Sequence, residues 1–310
     1  MGLDLGYSGE QQELARSVDG LCRRCGTGAG FTDSEPLPPK YWSGLADLGV
    51  LALGTADGGG GPLEIAAAME QLGLHGAPGP LVGTFVAGAL LDPSEMEPIA
   101  GGRKLASVGQ PPLMPWAAAA EVFIELSSEG AWLCEPATAP EPVETTAGEP
   151  WGRVELQRLR HLGEGIPAAA VGEAAAAAYL AGAASHLVDI ASEYAKDRVQ
   201  FNRPIATFQA ISHPLASCSV SVTASRIMAR EAASAIDSND PDAPAAAARA
   251  RLSAVASATA AAYQAHQTLG AIGFTIEGPV AHVSLRIRQL SLQPLPQAAA
   301  RTRVLQGLGV

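Results

Sequence analysis

The chain has 310 residues, of which 47% are hydrophobic and 16% charged, and it carries a formal net charge of −11. That length buries a large core in two or three domains, and the acidic balance argues against nucleic acid as a partner, because a phosphate binder needs a basic face. The opening MGLDLGYSGEQQELARSV lacks the charged start and apolar core of a signal peptide, and Glu173, His186 and Asp189 interrupt the most apolar stretch, so a cytoplasmic protein without a membrane span is expected.

In chain order, apolar positions at helical spacing (Leu14, Val18, Leu21, Cys22) predict a helix over 8–25. Cys22 and Cys25 form a C-x-x-C with no second pair at zinc spacing, and the six histidines are scattered, so ordinary thiols and no metal site are expected. After the Pro-rich turn SEPLPPK, YWSGLADLGVLALG reads as a short helix running into an extended segment. The glycine run 58–61 cannot be helical, and it lacks the lysine and Ser/Thr of a phosphate-binding loop. Further helices are expected over 63–74 and 80–91.

The character changes at about residue 101. EVFIELSS and GAWLCEP read as two strands joined at Ser128-Glu129-Gly130, a Pro/Thr/Glu-rich stretch follows, and WGRVELQRL reads as one more strand. Trp132 lies in the second strand and is expected to pack. From Gly165 the pattern is alanine-rich and helical, with helices expected over 167–200, 208–237, 242–269 and 279–289. Short links between antiparallel helices make a bundle. The fold expected is mainly α: an N-terminal helical domain (1–100), a reduced β middle segment (101–160) and a C-terminal four-helix bundle (161–310).

The most informative segment, 194–216, reads YAKDRVQFNRPIATFQAISHPLA. Pro204 breaks the helical run, because it lacks the N–H and disfavours a helical residue before it. This wording resembles the acyl-CoA dehydrogenase signature Y-A-x-x-R-x-Q-F-G-x-P-I-x-x-F-Q-x-x-x-H-x-L-A. In that family the arginine, phenylalanine and second glutamine bind FAD across a subunit boundary, which implies Arg198, Phe201 and Gln209 here. Asn202 replaces the usual glycine, a tolerable exchange because asparagine also enters left-handed conformations. His213 shares the helix face of Gln209 and is expected to cap or pack, and Asp197 and Arg203 are expected at the surface. The run Gln267-Thr-Leu-Gly-Ala-Ile-Gly-Phe-Thr-Ile-Glu277 resembles Q-x-x-G-G-x-G-F-T-x-E, whose backbone approaches FAD phosphate or ribose. By that likeness Gln267, Gly270, Ala271 and Gly273 join the cofactor set, with Ala271 in place of the second glycine. In the N-terminal part, W-x-x-L-A-x-L-G (Trp42, Leu45, Leu48, Gly49) and Glu64, Glu70, Leu72 and Gly73 match family packing words.

The resemblance also implies what is missing. The family's glutamate base falls at about Pro294, and the alternative base position, counted back from Arg198, falls at about Gly172. Glu173 is one residue away and is a weak candidate base; the other reading makes it a solvated or capping carboxylate. The T-E-P-x-A-G-S-D and W-I-T words that bed the flavin are absent between Leu91 and Trp151. The resemblance therefore implies a shortened subunit of an α2β2 acyl-CoA dehydrogenase, giving the ADP side of an FAD site to a full-length partner that carries the base. Steroid-derived acyl-CoAs would be the substrates and an electron-transfer flavoprotein the acceptor. The rival readings are a self-sufficient homo-oligomer using Glu173, a non-catalytic structural subunit, and a related flavin reaction such as oxidation.

Overall fold

The computed structural model describes residues 6–26, 37–55, 57–127, 129–275 and 278–308. Five helices come first: α1 (Gly9–Cys25), α2 (Pro39–Asp47), α3 (Pro62–Leu74), α4 (Leu81–Gly88) and α5 (Pro93–Ala100). Helix α1 starts where Ser8 and Gln11 exchange side-chain and backbone hydrogen bonds in a capping box, and it stops at Gly26 in the left-handed region. Proline stands in the first turn of α2, α3 and α5, where no intrahelical N–H is needed. The segment after α2 is a 3-10 turn (Val50–Ala52) rather than the extended run expected, with Gly49 at φ 73° turning the chain. Helix α5 was not legible, since Pro93 and Pro98 mask its short period.

Seven short strands follow among the described residues. Strands β1 (Ala106–Gly109), β3 (Val122–Ser127), β4 (Gly130–Pro136) and β7 (Leu156–Gly163) form one sheet, and β2 (Leu113–Met114), β6 (Trp151–Arg153) and β5 (Glu141–Val143) form another. The expected hairpin is present, β3 pairing antiparallel with β4, though Ser128 at its tip lies outside the described residues. WGRVELQRL does not make one strand. It divides into β6 and β7, which belong to different sheets, and the Val154 N–H between them bonds to Pro112 O.

The C-terminal half packs α6 (Gly165–Asp197), α7 (Gln209–Asp237), α8 (Ala243–Leu269), α9 (Ala281–Leu290) and α10 (Gln297–Gly307). The first four lie within a few residues of the expected bounds; α10 is an addition the sequence reading did not contain. Helix α6 is the one helix among the described residues long and apolar enough to cross a membrane, and 83% of its most apolar window is buried within the fold. It packs against α3 at backbone contact distance. A Cβ on Gly73 would lie 1.9 Å from Tyr179 O, and one on Gly182 would lie 2.0 Å from Glu70 O. Glycine at both points is what lets the two helices approach. Helices α7 and α8 are tied at mid-length, where Ser225 Oγ meets Ser253 Oγ at 3.0 Å and Ser257 Oγ at 2.9 Å.

Candidate functional site

Between α6 and α7 the chain makes a small hairpin, β8 (Val199–Gln200) against β9 (Arg203–Pro204). Its two turn residues, Phe201 (φ 53°) and Asn202 (φ 61°), both sit in the left-handed region, so asparagine does here what glycine does in the signature. Arg198 closes α6 with its N–H on Tyr194 O at 2.9 Å, and its carbonyl accepts from Ile205 N–H at 2.8 Å. The backbone at Arg198 is therefore fixed while its side chain is exposed. Among the described residues its guanidinium has no carboxylate partner. Phe201 is 86% exposed and meets Phe208 edge-on at 6.0 Å, and the Arg203 guanidinium lies 4.0 Å over the Phe208 ring. Gln209, also exposed, opens α7, which no side chain caps. His213 is exposed on the same face. It neither caps nor is buried, contrary to expectation, because no element among the described residues packs over this face of α7 at that end.

The second candidate cofactor segment ends α8. Gln267 is exposed in the last turn, and Gly270 (φ 63°, ψ −135°) reverses the chain into the 3-10 turn Gly270–Phe274. An added Cβ on Gly270 would meet nothing, so its backbone conformation, not crowding, calls for glycine. Ala271 is exposed and Gly273 buried; Glu277 lies outside the described residues. The serine contacts between α7 and α8 fix their antiparallel register. Moving from Ser225 back to Gln209, and the same number of residues onward from Ser253 and Ser257, arrives at the Gly270–Phe274 turn. Both candidate cofactor segments therefore lie at one end of the bundle.

The two positions at which the resemblance places a base, Gly172 and Pro294, converge elsewhere, on one spot. A Cβ built on Gly172 would lie 2.7 Å from Val86 Cγ2, 3.0 Å from Pro294 Cγ and 3.2 Å from Val82 Cγ1. Gly172 and Pro294 thus face each other in apolar packing, and neither carries a carboxylate. Glu173, one residue on and turned by about 100° around the helix, points away from them. Its side chain is fully buried, and Oε1 accepts from Arg251 Nη1 at 3.2 Å and from Arg303 Nη2. The expectation of a solvated or capping carboxylate is therefore corrected. The helix face that carries Glu173 is covered by α8 and α10, and two arginines compensate its burial. Arg251 also donates from Nη2 to Ser291 O at 3.0 Å and Leu295 O at 2.6 Å, which holds the loop bearing Pro294. Burial pushes the Arg251 guanidinium down, and Glu173 opposes that shift. Arg251 and Arg303 were missed in the sequence. The available signal was an arginine in the alanine stripe Ala247, Ala250, Ala254 and Ala258.

Trp132 packs, as expected, with its ring 4.6 Å from the His161 ring and 4.9 Å from the Arg158 guanidinium. An open groove of about 570 Å³ runs between the three-stranded sheet and α8–α9, with Thr145, Thr146, Trp151, Thr259, Arg288 and Leu292 among its walls. Beside Trp151, the carboxyl of Glu149 is buried and accepts from Trp151 Nε1 at 3.3 Å. Burial pushes it up, against the opposing effects of Arg286 and the two indoles of Trp151 and Trp116. Glu149 sits in the Pro/Thr/Glu-rich stretch, where composition alone gave no reason to single it out.

Residues 168–292 match the acyl-CoA dehydrogenase C-terminal domain. The acyl-CoA dehydrogenase IpdE2 of Mycolicibacterium smegmatis is 32% identical over 218 residues, covering 62% of this chain and 65% of that protein. The chain spans less than two thirds of the length of the curated relatives it matches. Among solved structures, a chain of the ChsE4-ChsE5 complex from Mycobacterium tuberculosis matches with a TM-score of 0.85 at 20% identity, over 99% of both chains. A chain of the Tcur3481-Tcur3483 steroid ACAD matches with a TM-score of 0.83 at 21% identity, over 97% of this chain and 99% of that one. At those identities the structural likeness is one of fold, and the sequence match identifies residues 168–292 as an acyl-CoA dehydrogenase C-terminal domain.

Proposed function

We propose that this chain is a subunit of an FAD-dependent acyl-CoA dehydrogenase, supplying the ADP side of a flavin site to a full-length partner that carries the catalytic glutamate. The observation that carries the reading is the packing of Gly172 against Pro294. Both positions where a base belongs are occupied by residues without a titratable group, and no Cβ fits at the first. A base must reach the proton it takes, so α-proton abstraction falls to another chain.

The cofactor segments fit the ADP half of FAD. Arg198 offers an exposed guanidinium, without a carboxylate partner among the described residues, whose fork suits pyrophosphate, next to a helix start at Gln209 that no side chain caps. Gly270 leaves open space where a side chain would project, so backbone N–H groups of that turn can approach a phosphate. The exposed Phe201 ring offers a flat apolar surface beside them. FAD, when bound, supplies the hydride acceptor for α,β-desaturation. This chain's part is to bind and orient the dinucleotide end. The partner's part is the flavin bed, the thioester slot and the base, in an α2β2 assembly that passes electrons to an electron-transfer flavoprotein.

Two structural relatives support the assembly and the substrate class: one comes from a two-protein complex and the other from a steroid ACAD. We extend both to this chain and assign it bulky, steroid-derived acyl-CoA substrates. The test is co-expression with a full-length acyl-CoA dehydrogenase that carries the glutamate base. A yellow, active complex is expected, with a colourless and inactive product when this chain is made alone. A chain that purifies alone, with one flavin bound and full turnover, overturns the reading.

A further inference from the structure

One side chain joins the cofactor turn to the rest of the bundle. His266, in the last full turn of α8, points Nδ1 at Gly273 O, 2.6 Å away, and Nε2 at Ser284 Oγ of α9, 2.9 Å away. A carbonyl only accepts, so Nδ1 carries the proton; in the neutral ring Nε2 then accepts from the Ser284 hydroxyl. The imidazole also faces the Phe274 ring at 5.2 Å with an interplanar angle of 33°. Gly273 closes the turn against its own helix, since a Cβ there would lie 3.0 Å from His266 O and 3.1 Å from Leu269 Cβ. The result is a turn pinned at its far end to α8 and α9, with Gln267 and Ala271 left exposed on its outer side.

We propose that His266 is a positioning residue for the dinucleotide: it presets the Gly270–Phe274 turn so that its backbone meets the pyrophosphate without first having to be ordered. The proposal rests on the flavin half-site reading above. His266 touches no ligand itself. It acts through Gly273, and what it contributes is preorganisation, the part of affinity otherwise lost in fixing a glycine-bearing loop on binding.

The atoms involved allow a discriminating experiment. In the assembled complex, FAD affinity is measured by flavin fluorescence on dilution, beside the melting temperature of each flavin-free variant. His266→Ala is expected to weaken FAD binding about tenfold, the effect of one lost hydrogen bond. His266→Asn places an amide nitrogen near the position of Nδ1 and should restore most of the affinity. His266→Gln reaches toward Ser284 instead and should not. Ser284→Ala removes only the outer tie and should cost less than His266→Ala. The proposal is overturned if Asn and Gln behave alike, or if affinity follows melting temperature across the series whichever atom is kept. Arg198→Ala separates the two levels. If it weakens FAD binding while His266→Ala does not, the positioning role alone fails. If Arg198→Ala leaves affinity unchanged, the half-site reading falls and this proposal with it.

Discussion

Glu173→Gln separates a structural carboxylate from a catalytic one. The substitution keeps the side-chain volume, so no cavity term enters, and it removes only the negative charge. Glu173 and Arg251 are fully buried and Arg303 is 9% exposed, so the cluster holds two guanidinium groups around one carboxylate. Without that carboxylate two buried cations face a neutral amide, and breaking such a pair costs about 3–5 kcal/mol. At 2–4 °C per kcal/mol for a larger domain, the melting temperature should fall by roughly 6–20 °C. Arg303→Met keeps the pair between Glu173 and Arg251 while removing the excess positive charge, and should cost less than about 2 kcal/mol. The assay is thermal and guanidinium unfolding of the complex, with acyl-CoA turnover measured well below the transition. Turnover per folded complex should stay near that of the parent. If Glu173→Gln melts within about 1 °C of the parent and abolishes turnover with flavin retained, Glu173 is the base and the reasoning fails.

Other expectations follow from the packing and the charges. Gly182→Ala would set a Cβ 2.0 Å from Glu70 O, a backbone atom that cannot step aside. It should destabilise by at least about 3 kcal/mol, whereas Gly163→Ala, with nothing within 4 Å but a φ of 142°, tests strain alone in the same unfolding assay. Burial, then Arg286 and His186, push His282 from 6.5 down to about 4. The unfolded chain therefore takes up this proton at a higher pH than the folded one, and stability should decline as pH falls from 6.5 towards 4. His282→Gln should flatten that decline by about 1–2 kcal/mol after allowance for partial exposure; parallel pH profiles for the two proteins would contradict it. In the assembled enzyme, steroid-derived thioesters should exceed octanoyl- and palmitoyl-CoA by at least about tenfold in kcat/KM, a difference of about 1.4 kcal/mol. Equal turnover of octanoyl-CoA with a ferrocenium acceptor removes the steroid assignment.

The parts legible in the sequence were those set by local sterics. Pro204 and Asn202 announced the break after α6, and the alanine runs announced long helices whose ends were placed within a few residues. The parts not legible depend on contacts far apart in the chain. Glu173 looked like a surface residue near a helix start, because its partners Arg251 and Arg303 lie 78 and 130 residues away. Strands β2, β5 and β6 are too short to show a period of two, and they form a sheet only by pairing with one another. Helix α10 hid because AAAR gives little amphipathic contrast. Counting back from Arg198 points to Gly172, and only the structure shows that Pro294 packs against it.

The bundle's interior has a further property that follows from its alanines. Along α6, and along the α8 face that meets it, the buried residues are mostly alanine, with glycine where α3 crosses α6. Alanine has no rotamers to freeze, so folding these helices sacrifices little side-chain entropy. It also has no rotamers with which to adapt. A core of leucines can absorb a change of shape by turning a side chain aside, but the buried side chains of α6 and α8 are mostly alanine methyl groups. Substitution in α6 is therefore one-sided. Loss of a methyl costs about 1 kcal/mol in helix propensity and a small void, while a valine or leucine must push two helices apart along their whole line of contact.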